Sequence, residues 1–378
     1  MSDPRRMKRL ALCALAGLAF ALPLVAAAAA GAAAAGAEAD PVAPPAIAAR
    51  YRITDLGVLP GHRASIAVGL NNAGQVLGES TGPKAGHPRI QETRVFVWSE
   101  ADGMTDIGMP PGESMLTAGG INDAGMVVGY SSYGPNAFSW QAGSGLQEVV
   151  PWPGAWQTRL YAIDSAGRAV GQSSGPGVAQ RAVSWTSARG IRPLPPHRRF
   201  SIALGLNDRG QTIGVQLYAD KQISVLRQPD GTVVRLGHLP VDRGARATTN
   251  PFAINDAGQV VGVSSIGDGF HSHAMLWTPE AGMQDLGALP GDRNSLATGI
   301  NRQGIVVGMS GPTLYMSHMF VWAPSAGMRD ANDLVDPDDP LRGTVHLDAA
   351  YAINDRGQIA GDARVAGSLH AVLLTPVR

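Results

Sequence analysis

The chain has 378 residues, with 30 basic and 30 acidic side chains and a formal net charge of zero. This balance argues against nucleic acid as a partner, because nucleic-acid-binding proteins present a strongly basic surface. The chain contains a single cysteine, which excludes a disulfide framework and a multi-cysteine metal site.

Residues 1–38 have the pattern of a signal peptide. Four basic residues between positions 5 and 9 precede an apolar run over residues 10–35. The run is long enough to span a bilayer, so an uncleaved anchor is the alternative, but its richness in Ala and Gly favours cleavage. Cys13 lies inside the run, so the mature chain would have no cysteine. Residues 39–50, rich in Ala and Pro, are predicted to form a linker.

A ten-residue segment, AINDAGQVVG at residues 253–262, recurs six more times in imperfect copies. Each copy has two apolar stretches around a turn that Asn or Asp opens and Gly closes. Asx side chains bond back onto the turn backbone, and the Gly can adopt the left-handed conformation that the turn needs. The segment therefore predicts a β-hairpin, whose strands we name a and b. The other copies begin at Gly69, Gly120, Ala162, Gly205, Gly299 and Ala352.

Two further stretches recur with the hairpin. One is a strand that usually ends in Trp, such as HAMLW at residues 273–277, and we name it c. The other is a strand like MQDLG at residues 283–287, and we name it d. Each segment type occurs seven times, so each repeat supplies four short strands. Four-stranded units of this length are typical of propeller blades.

The repeats predict an all-β fold, a seven-bladed β-propeller over residues 51–378. Successive turn Asn or Asp residues lie 42 to 53 residues apart, which does not fit a β-solenoid with rungs of nearly constant length. The array begins with a lone strand d at residues 51–57 and ends with a lone strand c at residues 370–375. These two strands complete one blade, so we expect the N-terminal strand to close the last blade.

One position on strand b is Gly in all seven repeats. An interior Gly in a strand usually lies beneath something bulky, and we expect this to be the strand-c Trp. The Trp residues themselves are expected in the core rather than against a ligand. The glycines are Gly78, Gly129, Gly171, Gly214, Gly262, Gly308 and Gly361, and the tryptophans are Trp98, Trp140, Trp185, Trp277 and Trp322.

The quoted hairpin, the HAMLW strand and the QDLG strand together resemble the bacterial HAF family of extracellular repeat proteins. The resemblance covers about residues 51–378, and the stretches 332–337 and 370–376 of the last repeat are especially similar to it. It implies a secreted or surface-associated protein and brings no activity, cofactor or catalytic residue. The fourth repeat departs from the pattern, because its strand c lacks both His and Trp, and the third has Asp164-Ser165 where Asn-Asp is expected.

Three motifs could suggest catalysis or metal binding, but each fits a structural role better. The segment GQSSG at residues 171–175 matches Gly-x-Ser-x-Gly, yet it leaves strand b for a loop and lacks the following helix of a nucleophile elbow. His271 and His273 share a strand face, but equivalent histidines in successive blades are too far apart to share one zinc ion. The acidic stretch 330–339 lacks the spacing of a calcium loop, so a solvated loop is favoured over a calcium site.

The d-a loops vary between repeats while the a-b turns are uniform, so we expect a ligand at the end of the ring that carries the d-a and b-c loops. Arg63, Arg199 and Arg293 stand at one place in their repeats, and a ring would bring them towards a common axis. The alternative is that these arginines are solvated or pair with neighbours such as Asp242 and Asp292. A basic rim with Trp stacking platforms suits a carboxylate-bearing ligand. The predicted ligand-binding residues are His62, Arg63, Trp152, Trp156, Arg159, His197, Arg199, Arg243, Arg246 and Arg293.

We expect a non-enzymatic binding scaffold in the periplasm or outside the cell, because no acid/base pair or nucleophile constellation is recognisable. The alternatives are a propeller enzyme acting on polysaccharide or ester substrates, and a purely structural role. The expected partner is an acidic carbohydrate, another anionic ligand or a protein. We expect no cofactor, no metal, no membrane span after signal cleavage, and a monomer. Two carboxylates about 5 to 10 Å apart at the axial opening would favour the enzyme.

Overall fold

The computed structural model describes residues 46–134, 136–176, 178–195, 201–218, 221–313 and 316–377. It contains seven antiparallel sheets of four strands each, arranged in a ring. The predicted seven-bladed β-propeller is therefore confirmed. Blades 1 to 6 follow one another along the chain, and blade 7 combines the two ends of the array.

In each blade, strand a lies nearest the axis and strand b pairs with it. Numbered in chain order, the a strands are β2 (Ala64–Leu70), β6 (Leu116–Ile121), β10 (Gln157–Ile163), β14 (Ser201–Leu206), β18 (Thr249–Ile254), β22 (Asn294–Ile300) and β26 (Val345–Ile353). The b strands are β3 (Val76–Lys84), β7 (Val127–Ser131), β11 (Ala169–Gly175), β15 (Thr212–Tyr218), β19 (Val260–Ile266), β23 (Val306–Thr313) and β27 (Ile359–Val365).

Strands c and d complete the outer half of each blade. The c strands are β4 (His87–Ser99), β8 (Ala137–Gln141), β12 (Val178–Thr186), β16 (Lys221–Arg227), β20 (His271–Thr278), β24 (Met316–Ala323) and β28 (Ser368–Pro376). The d strands are β5 (Gly103–Asp106), β9 (Gly145–Val149), β13 (Gly190–Pro193), β17 (Val233–Arg235), β21 (Gly282–Asp285), β25 (Gly327–Asp330) and, in blade 7, β1 (Tyr51–Gly57). A 3-10 helix at Ala331–Leu334 follows β25.

The N-terminal strand closes the ring as predicted, because β1 pairs with β28 from Tyr51 opposite Pro376 to Gly57 opposite Ala371. The free edge of β1 is also covered. The Tyr51 carbonyl accepts a hydrogen bond from the backbone N–H of Asp336 at 2.9 Å, and the Ile53 N–H donates to Asp339 Oδ2 at 2.7 Å. An exposed strand edge would otherwise invite pairing with another chain.

This contact gives the acidic stretch 330–339 a structural role. Asp330 caps the 3-10 helix through its side chain, and Asp336 and Asp339 hold their own loop as well as β1. Over the ranges that the structure describes, no group of three or more His, Cys, Asp or Glu side chains is placed to hold a metal ion.

The predicted signal peptide at residues 1–38 lies outside the described residues, as does most of the linker 39–50. The end of that linker packs onto the ring, since Ile47 and Ala48 contact the apolar cluster between blades 6 and 7. In the described part of the chain, no helix is long and apolar enough to cross a membrane.

The Asn that opens each a-b turn also ties its blade to the next one. Asn71 Oδ1 accepts the Gln75 N–H at 2.8 Å, while its Nδ2 donates to the Asn122 carbonyl of blade 2 at 2.9 Å. This inter-blade hydrogen bond is made at six of the seven a-b turns, and all seven turns lie in the described residues. One of the six closes the ring, from Asn354 Nδ2 to the Asn71 carbonyl. The others run from Asn122, Asn207, Asn255 and Asn301 to the next turn.

The expectation that Trp lies over the strand-b Gly is wrong. A Cβ at Gly78 would collide with the Ile66 carbonyl of strand a and with the Phe96 ring, which lies two residues before Trp98. In all seven blades a strand-a carbonyl crowds this Gly, so the backbone itself excludes a side chain there. The physical reason that Trp98 does not lie over Gly78 is the register between strands b and c, which places Phe96 opposite Gly78 and Trp98 opposite Val76.

The tryptophans do belong to the core, as predicted. Each of the seven seams between blades contains one apolar cluster, and the strand-c Trp packs in the seam with the preceding blade. Trp185, Trp277 and Trp322 are buried, and Trp98 and Trp140 are partly buried. Each blade therefore buries its faces only against its neighbours.

The seam between blades 3 and 4 differs from the other seams. Its cluster has three buried residues in the described ranges, Val170, Ala182 and Ala203. Asp164 replaces the turn Asn, and a carboxylate cannot donate the inter-blade hydrogen bond. Arg227 occupies the Trp position of strand c, is 5% exposed, and its Nε has no hydrogen-bond partner among the described residues. Burial lowers the pKa of this guanidinium.

Deletion of residues 51–57 should destabilise the ring severely. The deletion exposes the edge of β28 and removes the buried side chains of Tyr51, Ile53 and Leu56, each contributing roughly 1.5–3 kcal/mol. Thermal unfolding followed by circular dichroism should show a much lower midpoint. The single change Ile53→Ala should lower it less, and Arg52→Ala on the exposed face of the same strand should leave it unchanged. An unchanged midpoint in the truncated chain would contradict the closed ring.

Replacing Arg227 by Leu, the residue that blade 7 has at this position as Leu374, should stabilise the protein. The change removes a buried cation and adds apolar contacts, which should raise the free energy of unfolding by about 1–3 kcal/mol. Chemical denaturation measures this free energy of unfolding. Arg192→Leu, on the exposed face of β13, is the matched control and should change the free energy by less than about 0.5 kcal/mol. A destabilised Arg227→Leu variant would show that Arg227 supports the seam.

Candidate functional site

A cavity of about 450 Å³ lies on the axis, towards the end of the ring that carries the d-a and b-c loops. This volume is in the range of small-molecule sites. The bulged residue of every strand a lines it, because the extra residue in a bulge is turned out of the ladder. These seven residues are Val68, Gly119, Tyr161, Leu204, Phe252, Thr298 and Tyr351.

One side of the cavity wall carries the polar and ionisable groups. Blade 3 contributes Arg159 and Tyr161, and blade 2 contributes Tyr130. The Arg159 Cζ lies 5.0 Å from the centroid of the Tyr130 ring, and the Tyr130 and Tyr161 rings meet edge to face at 5.8 Å. Burial raises the pKa of both phenols, so they are neutral hydrogen-bonding groups at physiological pH.

Two carboxylates face the same cavity from neighbouring blades. Glu79 in blade 1 and Asp362 in blade 7 both follow the crowded Gly of strand b. Glu79 Oε1 accepts the Ala118 N–H at 2.9 Å, and burial raises the pKa of Glu79 to about 7. Asp362 Oδ2 accepts the Tyr351 hydroxyl at 3.3 Å. Burial, followed by the Asp362 charge, raises the pKa of Tyr351 well above its usual value.

The opposite side of the cavity is mostly apolar. Blades 4 and 5 contribute Leu204 and Phe252, and blade 6 contributes Thr298. The cavity therefore has a charged, tyrosine-rich side formed by blades 7, 1, 2 and 3 and an apolar side formed by blades 4 to 6.

Among the ten predicted ligand-binding residues, Arg159 lines the axial cavity. Arg159 forms no ion pair among the described residues, and its Nε has no hydrogen-bond partner there. His62 does not line the cavity. Its Nδ1 lies 3.1 Å from Ser80 Oγ and its Nε2 lies 3.7 Å from Glu92. Trp152 packs against the cluster between blades 2 and 3, and Trp156 is 71% exposed on its loop.

Four of the six remaining predicted residues lie in d-a loops and outside the cavity lining. Arg63, Arg243, Arg246 and Arg293 are exposed, and His197 and Arg199 lie outside the described residues. Asp292, a possible partner of Arg293, instead accepts a hydrogen bond from Ser310 at 2.8 Å. The binding role of these loop residues stays a prediction.

The predicted structural roles hold for Ser173 and for two of the strand-c histidines, whereas the acidic stretch is not a solvated loop because Asp336 and Asp339 are buried. Ser173 of the Gly-x-Ser-x-Gly match is fully buried and hydrogen-bonds Thr158 at 3.0 Å. His273 Nδ1 hydrogen-bonds Asp285 and His370 Nδ1 hydrogen-bonds Asp55, each at 2.9 Å and each on the neighbouring strand d. His318 Nδ1 lies 3.7 Å from Asp330, and His271 Nδ1 has no hydrogen-bond partner among the described residues.

Sequence analysis did not identify most of this cavity. Glu79, Tyr130, Tyr161, Tyr351 and Asp362 were not among the predicted site residues. A signal was present, because the residue before the repeated hairpin and the residue after the strand-b Gly both differ from blade to blade. Variation at a fixed place in a repeat marks positions that the scaffold does not determine.

Comparisons with known proteins agree with the fold. No family model matches the chain, and no curated protein matches it. Among solved structures it is similar to virginiamycin B lyase from Staphylococcus aureus, with a TM-score of 0.54, 10% identity, and coverage of 86% of this chain and 100% of that one. It is also similar to the β-propeller domain of the Trilobed protease from Pyrococcus furiosus, with a TM-score of 0.52, 8% identity, and coverage of 84% and 96%. At these identities the likeness shows the fold alone.

The buried Glu79 should make stability depend on pH. Its pKa is 4.5 without burial and about 7 in the fold, so the folded chain keeps a proton that the unfolded chain loses in this window. The free energy of unfolding should therefore fall as the pH rises from 4.5 to 7. Denaturation at a series of pH values should show that Glu79→Gln removes this contribution. The exposed Glu148→Gln is the control, and a Glu79→Gln profile parallel to that of the parent would contradict the assignment.

Proposed function

We propose that the protein is an exported β-propeller binding protein that holds a carboxylate-bearing ligand, such as a segment of acidic glycan, in its axial cavity. The resemblance to the HAF repeat family and the leader at residues 1–38 support export. The cavity supports the ligand class, because it joins hydroxyl-rich and aromatic surface to one guanidinium.

The proposal rests on the contacts of the Arg159 guanidinium. A guanidinium in a protein wall is normally met by a carboxylate, as Arg94 is by Asp106 and Arg168 by Asp164. Arg159 has no such ion pair among the described residues; its guanidinium lies over the Tyr130 ring and hydrogen-bonds the Tyr161 phenol, and its Nε has no partner there. A positioned guanidinium binds an incoming carboxylate through charge-assisted, often bidentate hydrogen bonds.

The shape of the cavity favours a sugar over a simple anion. Tyrosines supply large faces on which pyranose rings can lie and hydroxyls that exchange hydrogen bonds with sugar hydroxyls. Thr117 and Ser132 add a further hydroxyl pair at 2.7 Å in the same wall. The apolar side formed by Leu204 and Phe252 can cover the less polar face of a ring.

An enzyme acting on polysaccharide is the second candidate function. It is favoured by Glu79 and Asp362, because two carboxylates in different surroundings at one cavity are the usual acid and base of glycan cleavage. Binding is the first candidate function, because Arg159 would recognise the ligand carboxylate whether or not a reaction follows.

Isothermal titration calorimetry with oligogalacturonates tests the binding proposal. Arg159→Ala should weaken binding by at least about tenfold, and Arg159→Lys should retain part of the affinity because the charge remains. Arg192→Ala, on the exposed face of β13, is the matched control and should bind as the parent does. The triple variant Arg63→Ala, Arg199→Ala and Arg293→Ala tests the predicted loop rim separately. Loss of binding in the triple variant alone would place the ligand at the rim. No binding to any acidic oligosaccharide would contradict the proposal.

A further inference from the structure

Three ionisable side chains of the cavity follow one another around the axis. Tyr351 comes from blade 7, Glu79 from blade 1 and Arg159 from blade 3, and all three line the cavity. Glu79 reaches from blade 1 to blade 2, where its Oε1 accepts the Ala118 N–H at 2.9 Å, and Tyr130 of blade 2 is the ring beneath Arg159. Glu79 therefore lies between the Tyr351 group and the Arg159 group.

This order matches the order of the reacting atoms in one class of ligand. In a 4-linked hexuronate, the carboxylate is attached to the carbon that bears the acidic hydrogen, and the glycosidic oxygen leaves from the next carbon. A carboxylate seated on Arg159 places the acidic C–H towards Glu79 and the leaving oxygen towards Tyr351. Asp362, the other carboxylate of the lining, accepts a hydrogen bond from the Tyr351 hydroxyl at 3.3 Å and so belongs to the Tyr351 group, which assigns the base to Glu79.

We propose that the axial cavity cleaves 4-linked hexuronate glycans by β-elimination, with Arg159 on the carboxylate, Glu79 as the base and Tyr351 as the proton donor. The inference rests on the proposed function, because the same cavity and the same Arg159 hold the ligand.

The step balances without water or a cofactor. The Glu79 carboxylate takes the proton from the carbon beside the ligand carboxylate, and the electrons of that C–H bond form a carbon–carbon double bond. The bond from the next carbon to the glycosidic oxygen breaks, and its electron pair goes to the oxygen. That oxygen takes the phenolic proton of Tyr351. Proton transfer from Glu79, directly or through solvent, restores the phenol.

Each of the three side chains has a chemical property that fits its proposed role in the reaction. Arg159 can neutralise the ligand carboxylate, which makes the neighbouring hydrogen more acidic as charge develops. A base with a pKa of about 7 combines a large ionised fraction at neutral pH with useful proton affinity. The Tyr351 phenol, hydrogen-bonded to Asp362 at 3.3 Å, has a raised pKa and stays protonated until a more basic oxygen forms.

The test uses the full chain with polygalacturonate and alginate as probes. Elimination creates a double bond conjugated to the carboxylate, so ultraviolet absorbance should rise with time while new reducing ends form in equal number. Polygalacturonate whose carboxyl groups have been reduced to alcohols should give neither signal. The rate should increase with pH through about 7 as Glu79 ionises.

The variants separate chemistry from binding. Glu79→Gln should lower the rate on the order of 100-fold while the affinity for oligogalacturonate stays within about threefold. Tyr351→Phe should also lower the rate, and it serves as the second variant if Glu79→Gln folds poorly. Glu148→Gln, exposed on strand β9, should leave the rate unchanged. Reducing ends without ultraviolet absorbance would overturn elimination in favour of hydrolysis. Binding without any product would overturn the inference and leave the proposed function intact, whereas absence of both would overturn the two together.

Discussion

The structure depends on the side-chain amide of one turn Asn, repeated around the ring. Its oxygen organises its own a-b turn and its nitrogen reaches the carbonyl of the next turn, so one group shapes the blade and joins it to its neighbour. A four-stranded blade has two apolar faces and cannot bury them alone. Each blade is therefore stable only as part of a closed ring, and β1 supplies the closure.

The same backbone feature that packs the blade also builds the cavity. Strand a places a carbonyl against the strand-b Gly, and its bulge turns the bulged side chain towards the axis. The scaffold fixes the bulge but not the identity of the residue in it. Tyr161 and Tyr351 can therefore stand in one part of the ring while Leu204 stands in another, without disturbing the blades. An asymmetric site arises in this way from a nearly symmetric fold.

Much of the fold could be predicted because repeated local signals agree. The Asx-Gly turns, the clasp of residues 51–57 and the structural roles of Ser173 and of two strand-c histidines follow from spacing and residue chemistry. The partner of the strand-b Gly could not be predicted, because the pairing register of neighbouring strands, including the strand-a bulge, is not visible in the sequence pattern. For the same reason the residue at the bulge could not be assigned to the axis. Glu79 was missed because its raised pKa comes from burial that only the assembled ring provides.

The register of β1 on β28 also determines how the ring would stand on a surface. Tyr51 pairs with Pro376, at the end of strand c, so the N-terminal segment joins the ring at the face that carries the a-b and c-d turns. The Val377 N–H donates to the Arg50 carbonyl at 3.0 Å, which holds both ends of the array at that face. The axial cavity lies towards the opposite face. A membrane anchor at residues 1–38, the alternative to the predicted signal peptide, would therefore join the ring at the face opposite the cavity.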